Sequence, residues 1–291
     1  MLKPLFILVC FFSSTLSAYA KPPNIVTDIA PVYSLVSMVM DSDENVQLLL
    51  DGSQSPHDFA LNPSQARALQ TADLVLYVGL EFTPWLEKPL RNLASKSIQI
   101  NLLRQNDTMT LPYRGVEGQS NALDPHAWMS PDNAIIWLEI IADILVKLDS
   151  DNAQNYRQNA KSAKAKIATQ SAAMKTLLEP VAQKPIVLFH DAFQYFEEYM
   201  GLNMVGAFTL ADGNAPSPNQ MKRIRTVFEE QDVACVFVEP SANMALIDAA
   251  NARTTKQVVL DPLDVSIPLG TDYYLQLMLK TTKSINNCLI P

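Results

Sequence analysis

The sequence predicts an α/β protein in which two similar βα-repeat lobes are joined by a long rigid connecting helix. Three observations carry this prediction. Short, continuous apolar runs alternate with helical stretches from Asn24 to Asn101, the pattern of parallel strands buried on both faces. The same alternation restarts at Ile186 and continues nearly to the end of the chain. Between the two, one helical pattern runs from near Ser150 to Glu179, the opposite of a Gly-rich flexible linker.

In the first half, "NIVTDIA" reads as a strand, "PVYSLVSMVM" as a helix, "VQLLL" as a strand and "NPSQARALQ" as a helix. "DLVLYVG" is again a strand, "TPWLEKPLRNL" a helix and "SIQIN" a strand. The polar stretch from Leu103 to Ala122 lacks periodicity and reads as a loop. A helix is expected over Pro131 to Leu148, because Ser130 is a good N-cap, Pro131 suits the first helical position and Asp132 complements the helix dipole. The long helix follows, with Ala153, Tyr156, Ala160, Ala163, Ile167, Met174 and Leu177 as its apolar stripe, and Pro180 stops it. At about 28 residues it spans roughly 40 Å, longer than one small domain needs.

In the second half, "IVLFH", "MVGAF", "ACVFVEP" and "QVVLDPL" read as strands. The helices between and after them are "DAFQYFEEYM", "PNQMKRIRTVFEEQ" capped by Ser217, "NMALIDAANAR" and a final "TDYYLQLMLKTTKSIN". The expected limits are 21–149 for the first lobe, 150–180 for the connecting helix and 181–291 for the second lobe. Nineteen prolines against eight glycines favour stiff loops and few hinges.

The first twenty residues stand outside that fold. Lys3 supplies a positive start, "LFILVCFF" an apolar run and "AYA" a small-x-small cleavage site, so residues 1–20 read as an export signal cleaved after Ala20. The apolar run is shorter than the roughly 20 residues a membrane-spanning helix needs. Lipidation at Cys10 is the weaker reading, because Leu8 and Val9 precede the cysteine where small residues are wanted. With no later apolar span, the mature chain is expected to be free and soluble, starting at Lys21.

Loss of that segment removes only Lys3 among charged residues, so the net charge of −8 becomes one unit more acidic. This argues against nucleic acid or an anionic membrane as partner. Export leaves Cys235 and Cys288. In an oxidising compartment an isolated pair is more often a disulfide than two buried thiols. A bond here would staple the C-terminal tail to an interior strand, worth roughly 3–4 kcal/mol by the chain-entropy model. There is no CxxC, and none of GxGxxG, the P-loop, GxSxG or HExxH, so thiol redox, nucleotide and common hydrolase chemistry lose most of their support.

The chain holds three histidines. His57 follows "VQLLL" after a short loop, His190 ends "IVLFH" directly, and His126 sits in "DPHAWMS", the loop feeding a helix. Ligands of α/β sheets collect at the carboxyl ends of strands, and two of these histidines lie at such ends in opposite lobes. Imidazole is the commonest neutral metal ligand and zinc takes four N, O or S donors, so a fourth partner is needed. "QVVLDPLD" offers Asp261 and Asp264, with Asp261 placed at its strand end as His190 is at its own. The blander reading makes each histidine a satisfied polar residue or cap. Asp124 and Asp191, beside two of them, read either as partners that orient the rings or as turn and cap residues, the cap being favoured for Asp191. Phe193, Tyr195 and Phe196 read as core packing near His190.

Through "SPHDFALNPSQARALQTADLVLYVG", "DPHAWMSP", "VLFHDAFQYF", "CVFVEP" and "LDPL", in order and across essentially the whole mature chain, the sequence resembles the solute-binding proteins of bacterial zinc-uptake ABC transporters. The resemblance implies two α/β lobes on a rigid helix with one metal ion in the cleft between them. It gives the ligand role to His57, His126 and His190, with Asp261 as fourth ligand, and matches Cys235 and Cys288 to a disulfide. The chain departs from the pattern in three places. Pro56 stands where some zinc members carry a ligating Glu, the loop of Leu103 to Ala122 lacks the histidines of many relatives, and Asp264 stands where others have Gly or Glu. The fourth ligand is therefore open between Asp261 and Asp264. The manganese branch tends to replace the third histidine by Glu, so His190 favours zinc, as does a nitrogen-rich donor set.

The expectation is thus a monomeric, non-catalytic periplasmic protein that captures Zn2+ and delivers it to a membrane ABC permease for import. Zinc binding is expected to move loops around His57 or His126 locally rather than to close the lobes widely. The rival readings are a manganese or iron transport protein of the same fold, a three-histidine zinc hydrolase, and a surface adhesin.

Overall fold

The computed structural model describes residues 21–51, 59–114, 122–210, 215–240 and 242–290. The expected export signal and His57 lie outside the described residues.

The first lobe is built on strands β1 (Ile25–Thr27), β2 (Val46–Leu48), β3 (Leu74–Tyr77) and β4 (Ile98–Asn101), all parallel in the order β2-β1-β3-β4. Between them run helices α1 (Ala30–Met40), α2 (Pro63–Thr71) and α3 (Glu87–Asn92). α2 begins with a full capping box, Asn62 accepting from Gln65 N while the Gln65 side chain accepts from Asn62 N. The stretch read as one helix before β4 is a single 3-10 turn, Pro84–Leu86, followed by α3.

Helix α4 (Pro131–Leu148) has the expected limits, and Ser130 accepts from Asn133 N as its N-cap. Helix α5 (Ala153–Leu178) is flanked by 3-10 turns at Ser150–Asn152 and Glu179–Val181. Its buried stripe is Tyr156, Ala160, Ala163, Ile167, Ser171, Met174 and Leu178. Leu177 was expected in that stripe but is 42% exposed. From Met174 the next position on the same face is four residues on, at Leu178, so Leu177 turns away.

The second lobe repeats the plan with β5 (Ile186–His190), α6 (Gln194–Met200), β6 (Met204–Thr209), α7 (Pro218–Glu230), β7 (Cys235–Val238), α8 (Met244–Ala249) and β8 (Gln257–Val259). Its sheet is parallel in the order β6-β5-β7-β8. Ser217 caps α7 by accepting from Gln220 N. Helix α9 (Tyr273–Leu289) ends the chain and joins Cys288 to Cys235 on β7 in a disulfide, Cα–Cα 6.2 Å.

Strand pleating sorts each sheet into two faces. Val26, Val75 and Tyr77 pack outward with Leu69, Leu86 and Leu90 of the outer helical layer. Val187, Phe189, Val236 and Val238 pack outward with Ile224 and Ile247. The inner faces behave differently. Ile25, Leu74 and Leu76 of one sheet and Ile186, Leu188 and Phe237 of the other belong to a single continuous core with α1, α4, α5 and α9. The long helix is therefore packed against both lobes, touching α1 and α4 on one side and α9 on the other. Ser34 adds a polar tie, donating to Thr271 O and accepting from Tyr274 N.

Candidate metal centre

His190 ends β5 on the same pleat face as Ile186 and Leu188, so it faces the inner side of its sheet. His126 lies in the loop before α4, held by the 3-10 turn Ala127–Met129 and by Trp128, which is fully buried. The two rings meet across the lobes with centroids 5.1 Å apart and planes at 76°. Both are buried, at 1% and 8% exposure. Phe82 and Trp128 flank His126 at 5.9 and 5.2 Å, giving it an apolar wall.

Each ring has a carboxylate at Nδ1. Asp124 Oδ1 lies 2.7 Å from His126 Nδ1 and also accepts from His126 N. Glu239 Oε1 lies 2.9 Å from His190 Nδ1. Opposite an ionised carboxylate, which only accepts, a neutral imidazole places its proton on Nδ1 and its lone pair on Nε2. That is the tautomer in which a metal is bound through Nε2.

The two aspartates beyond β8 have different surroundings. Asp261 is half-buried and accepts from Leu263 N through Oδ1. Burial, then the neighbouring charges of Asp264 and Glu239, push its carboxyl above the usual range. The turn it starts is tied beside His126, because Trp128 Nε1 donates to Pro262 O at 3.1 Å. Asp264 turns elsewhere. Its Oδ1 accepts from Ser266 N and Oγ, and its Oδ2 pairs with Lys280. Partial burial opposes ionisation there, but the Lys280 and Ser266 bonds outweigh it and hold the carboxyl below its ordinary value.

Asp191, expected to cap α6, does not. The N-cap position is Phe193, with no side-chain cap bond. Asp191 is buried and clamped instead by Arg114, whose Nε and Nη2 reach its two carboxylate oxygens while Nη1 reaches Glu197. Tyr195 works beside it, accepting from Leu111 N and donating to Asp124 O. Gln194, with its amide turned to donate, reaches Pro112 O and Asp124 Oδ2. The segment before His126 is thereby fastened to the lobe that carries His190.

Among the described residues, no three His, Cys, Asp or Glu side chains converge closely enough to hold a metal ion by themselves. His126 and His190 are brought together, and a further donor has to join them. Glu239, Arg114 and the roles of Tyr195 and Gln194 were not found from sequence. Glu239 stood within the quoted "CVFVEP" with no role assigned, and Arg114 fell in a stretch read as loop.

Two α/β lobes sharing one core, with opposed imidazoles backed by carboxylates where the lobes meet, define a two-lobed metal-binding protein. The family model described as zinc-uptake complex component A, periplasmic (ZnuA), matches residues 25–288, and the chain belongs to that family. The high-affinity zinc uptake system protein ZnuA of Paracoccus denitrificans is 33% identical, with 95% of each chain covered. That of Yersinia pestis is 31% identical, with 91% of each chain covered. Among solved structures, a zinc-bound variant of the AdcAII protein of Streptococcus pneumoniae superposes with a TM-score of 0.79 at 26% identity, covering 93% of this chain and 99% of its own.

Proposed function

We propose that this chain is the periplasmic component that captures Zn2+ and delivers it to a membrane ABC permease for import. The observation that carries the reading is the opposed pair His126 and His190, each ring held by a carboxylate at Nδ1 so that Nε2 is the donor. Family membership supplies the cargo and the transport role. His57, His126, His190 and Asp261 form the proposed ligand set, a nitrogen-rich tetrahedral site suited to zinc. Asp261 is preferred to Asp264 because both oxygens of Asp264 are already engaged.

The chain acts as a monomer and catalyses nothing. Each carboxylate beside the imidazoles contacts a ring at Nδ1, the arrangement of a ring-orienting partner. The exported chain loses its signal by cleavage after Ala20, and the lobes divide at 149 and 181. Among the described residues no helix is long and apolar enough to cross a membrane. Affinity falls as the solution is acidified through the histidine range, since ligation needs neutral rings.

The test is a set of variants titrated with zinc against a competing chelator. His126→Ala, His190→Ala and Asp261→Asn each weaken binding by about tenfold or more, at least ~1.4 kcal/mol, while Asp264→Asn stays near the parent. Tight zinc binding by His126→Ala or His190→Ala contradicts the site.

A further inference from the structure

We propose that Glu239 is the positioning residue for zinc capture through His190, holding that ring in the tautomer and orientation that present Nε2 to the ion. The proposal deepens the zinc reading and rests on it.

The placement follows from strand register. β5 and β7 run parallel, with Ile186 beside Cys235 and Leu188 beside Phe237. Two residues further on the same pleat face come His190 on one strand and Glu239 on the other. The two side chains therefore leave adjacent strand ends on the inner side of the sheet, and the contact at 2.9 Å closes between them. Glu239 is only 24% exposed, and its own carbonyl accepts from Ala242 N, which fixes the backbone where the strand ends. A surface carboxylate has no reason to be held this way.

His126 is served by Asp124 from its own loop, two residues back. His190 ends a strand, and the neighbouring strand supplies its Nδ1 partner. Charge points the same way. Zn2+ with three neutral imidazoles and Asp261 carries about +1, and the Asp124 and Glu239 carboxylates take the assembly to about −1. A carboxylate at Nδ1 also makes the ring a better donor, the general reason that such partners alter metal affinity about 10- to 100-fold when removed.

The test uses the mature chain, Glu239→Gln and Glu239→Ala, with two readouts. Imidazole nitrogen NMR of the metal-free protein reports which His190 nitrogen is protonated, and zinc titration against a chelator reports affinity. The parent is expected to show His190 protonated at Nδ1. Glu239→Gln, which keeps the size and an accepting oxygen but loses the charge, should bind zinc about tenfold more weakly, and Glu239→Ala about 100-fold more weakly. The Gln variant should melt as the parent does when metal-free, separating its effect from loss of fold. Equal affinity in all three chains, or a parent His190 protonated at Nε2, overturns the proposal. A parent with the Nδ1 tautomer but no tight zinc site overturns the zinc reading instead, and the two failures are distinguishable.

Discussion

Asp28 closes the carboxyl end of β1 with two backbone bonds, accepting from Ile29 N and Val78 N. It is fully buried, and burial outweighs those bonds to lift its pKa from 3.8 to about 7. The folded chain therefore holds more protons than the unfolded chain between those values, so stability falls as pH rises from about 4 to about 7 and is unaffected by this group outside that window. The loss is on the order of 4 kcal/mol at 1.36 kcal/mol per pH unit. Carbon NMR of the Asp28 carboxyl in the metal-free protein should give a midpoint near 7, and a midpoint near 4 contradicts this account. At the same scale, some of the site was legible and some was not. Ser130 and Pro131 announce a helix start by local chemistry alone, so the position of His126 just ahead of α4 could be read directly. Glu239 could not be read, because nothing in "VFVEP" says that its neighbour is "IVLFH". Register between strands is a long-range property. Asp191 misled for a related reason: its partner, Arg114, lies 77 residues away.

Among elements, the described residues on either side of 115–121, Leu111 to Arg114 and Ala122 to Asp124, fasten the first lobe to the second. The stretch from Leu103 to Ala122 looks like an aperiodic loop in sequence, yet Pro112 pairs with Leu123 in an isolated antiparallel bridge, Arg114 reaches Asp191 and Leu111 N donates to Tyr195 of the second lobe. Polar loops carry no periodic signal, so such fastening becomes visible only when the partners are in place. Arg114→Met leaves Asp191 as an uncompensated charge at 3% exposure. The expected cost is about 3 kcal/mol in the unfolding free energy of the metal-free protein, largely recovered when Asp191→Asn is added. Denaturant unfolding of both singles and the double checks this, and additive losses would contradict it. The long helix was legible in extent and in most of its stripe, because a helical period repeats locally. Only its last turn was misphased, at Leu177 against Leu178.

At the scale of the whole molecule, the inner faces of both sheets and the long helix share one core, so the lobes have no apolar seam along which to part. Cross-lobe bonds from Trp128 to Pro262, Tyr274 to Trp128 and Ser34 to Thr271 add polar ties at the same junction. The proline-to-glycine ratio and the absence of a flexible linker point to stiffness in the sequence as well. The sequence could not show that the two cores are continuous, since that depends on which faces meet. X-ray scattering with and without zinc should therefore give a radius of gyration, about 18–19 Å for a chain of this length, that changes by less than about 1 Å. A larger contraction would mean hinge closure and would contradict a shared core.

The central claim is that a paired-imidazole site between two fixed lobes captures zinc. Calorimetric titration of the metal-stripped mature protein with Zn2+, and separately with Mn2+, tests it most directly. One tight zinc per chain, with manganese at least about 100-fold weaker as its oxygen preference implies, is the predicted result. No tight zinc site, or manganese bound more tightly than zinc, would contradict the account.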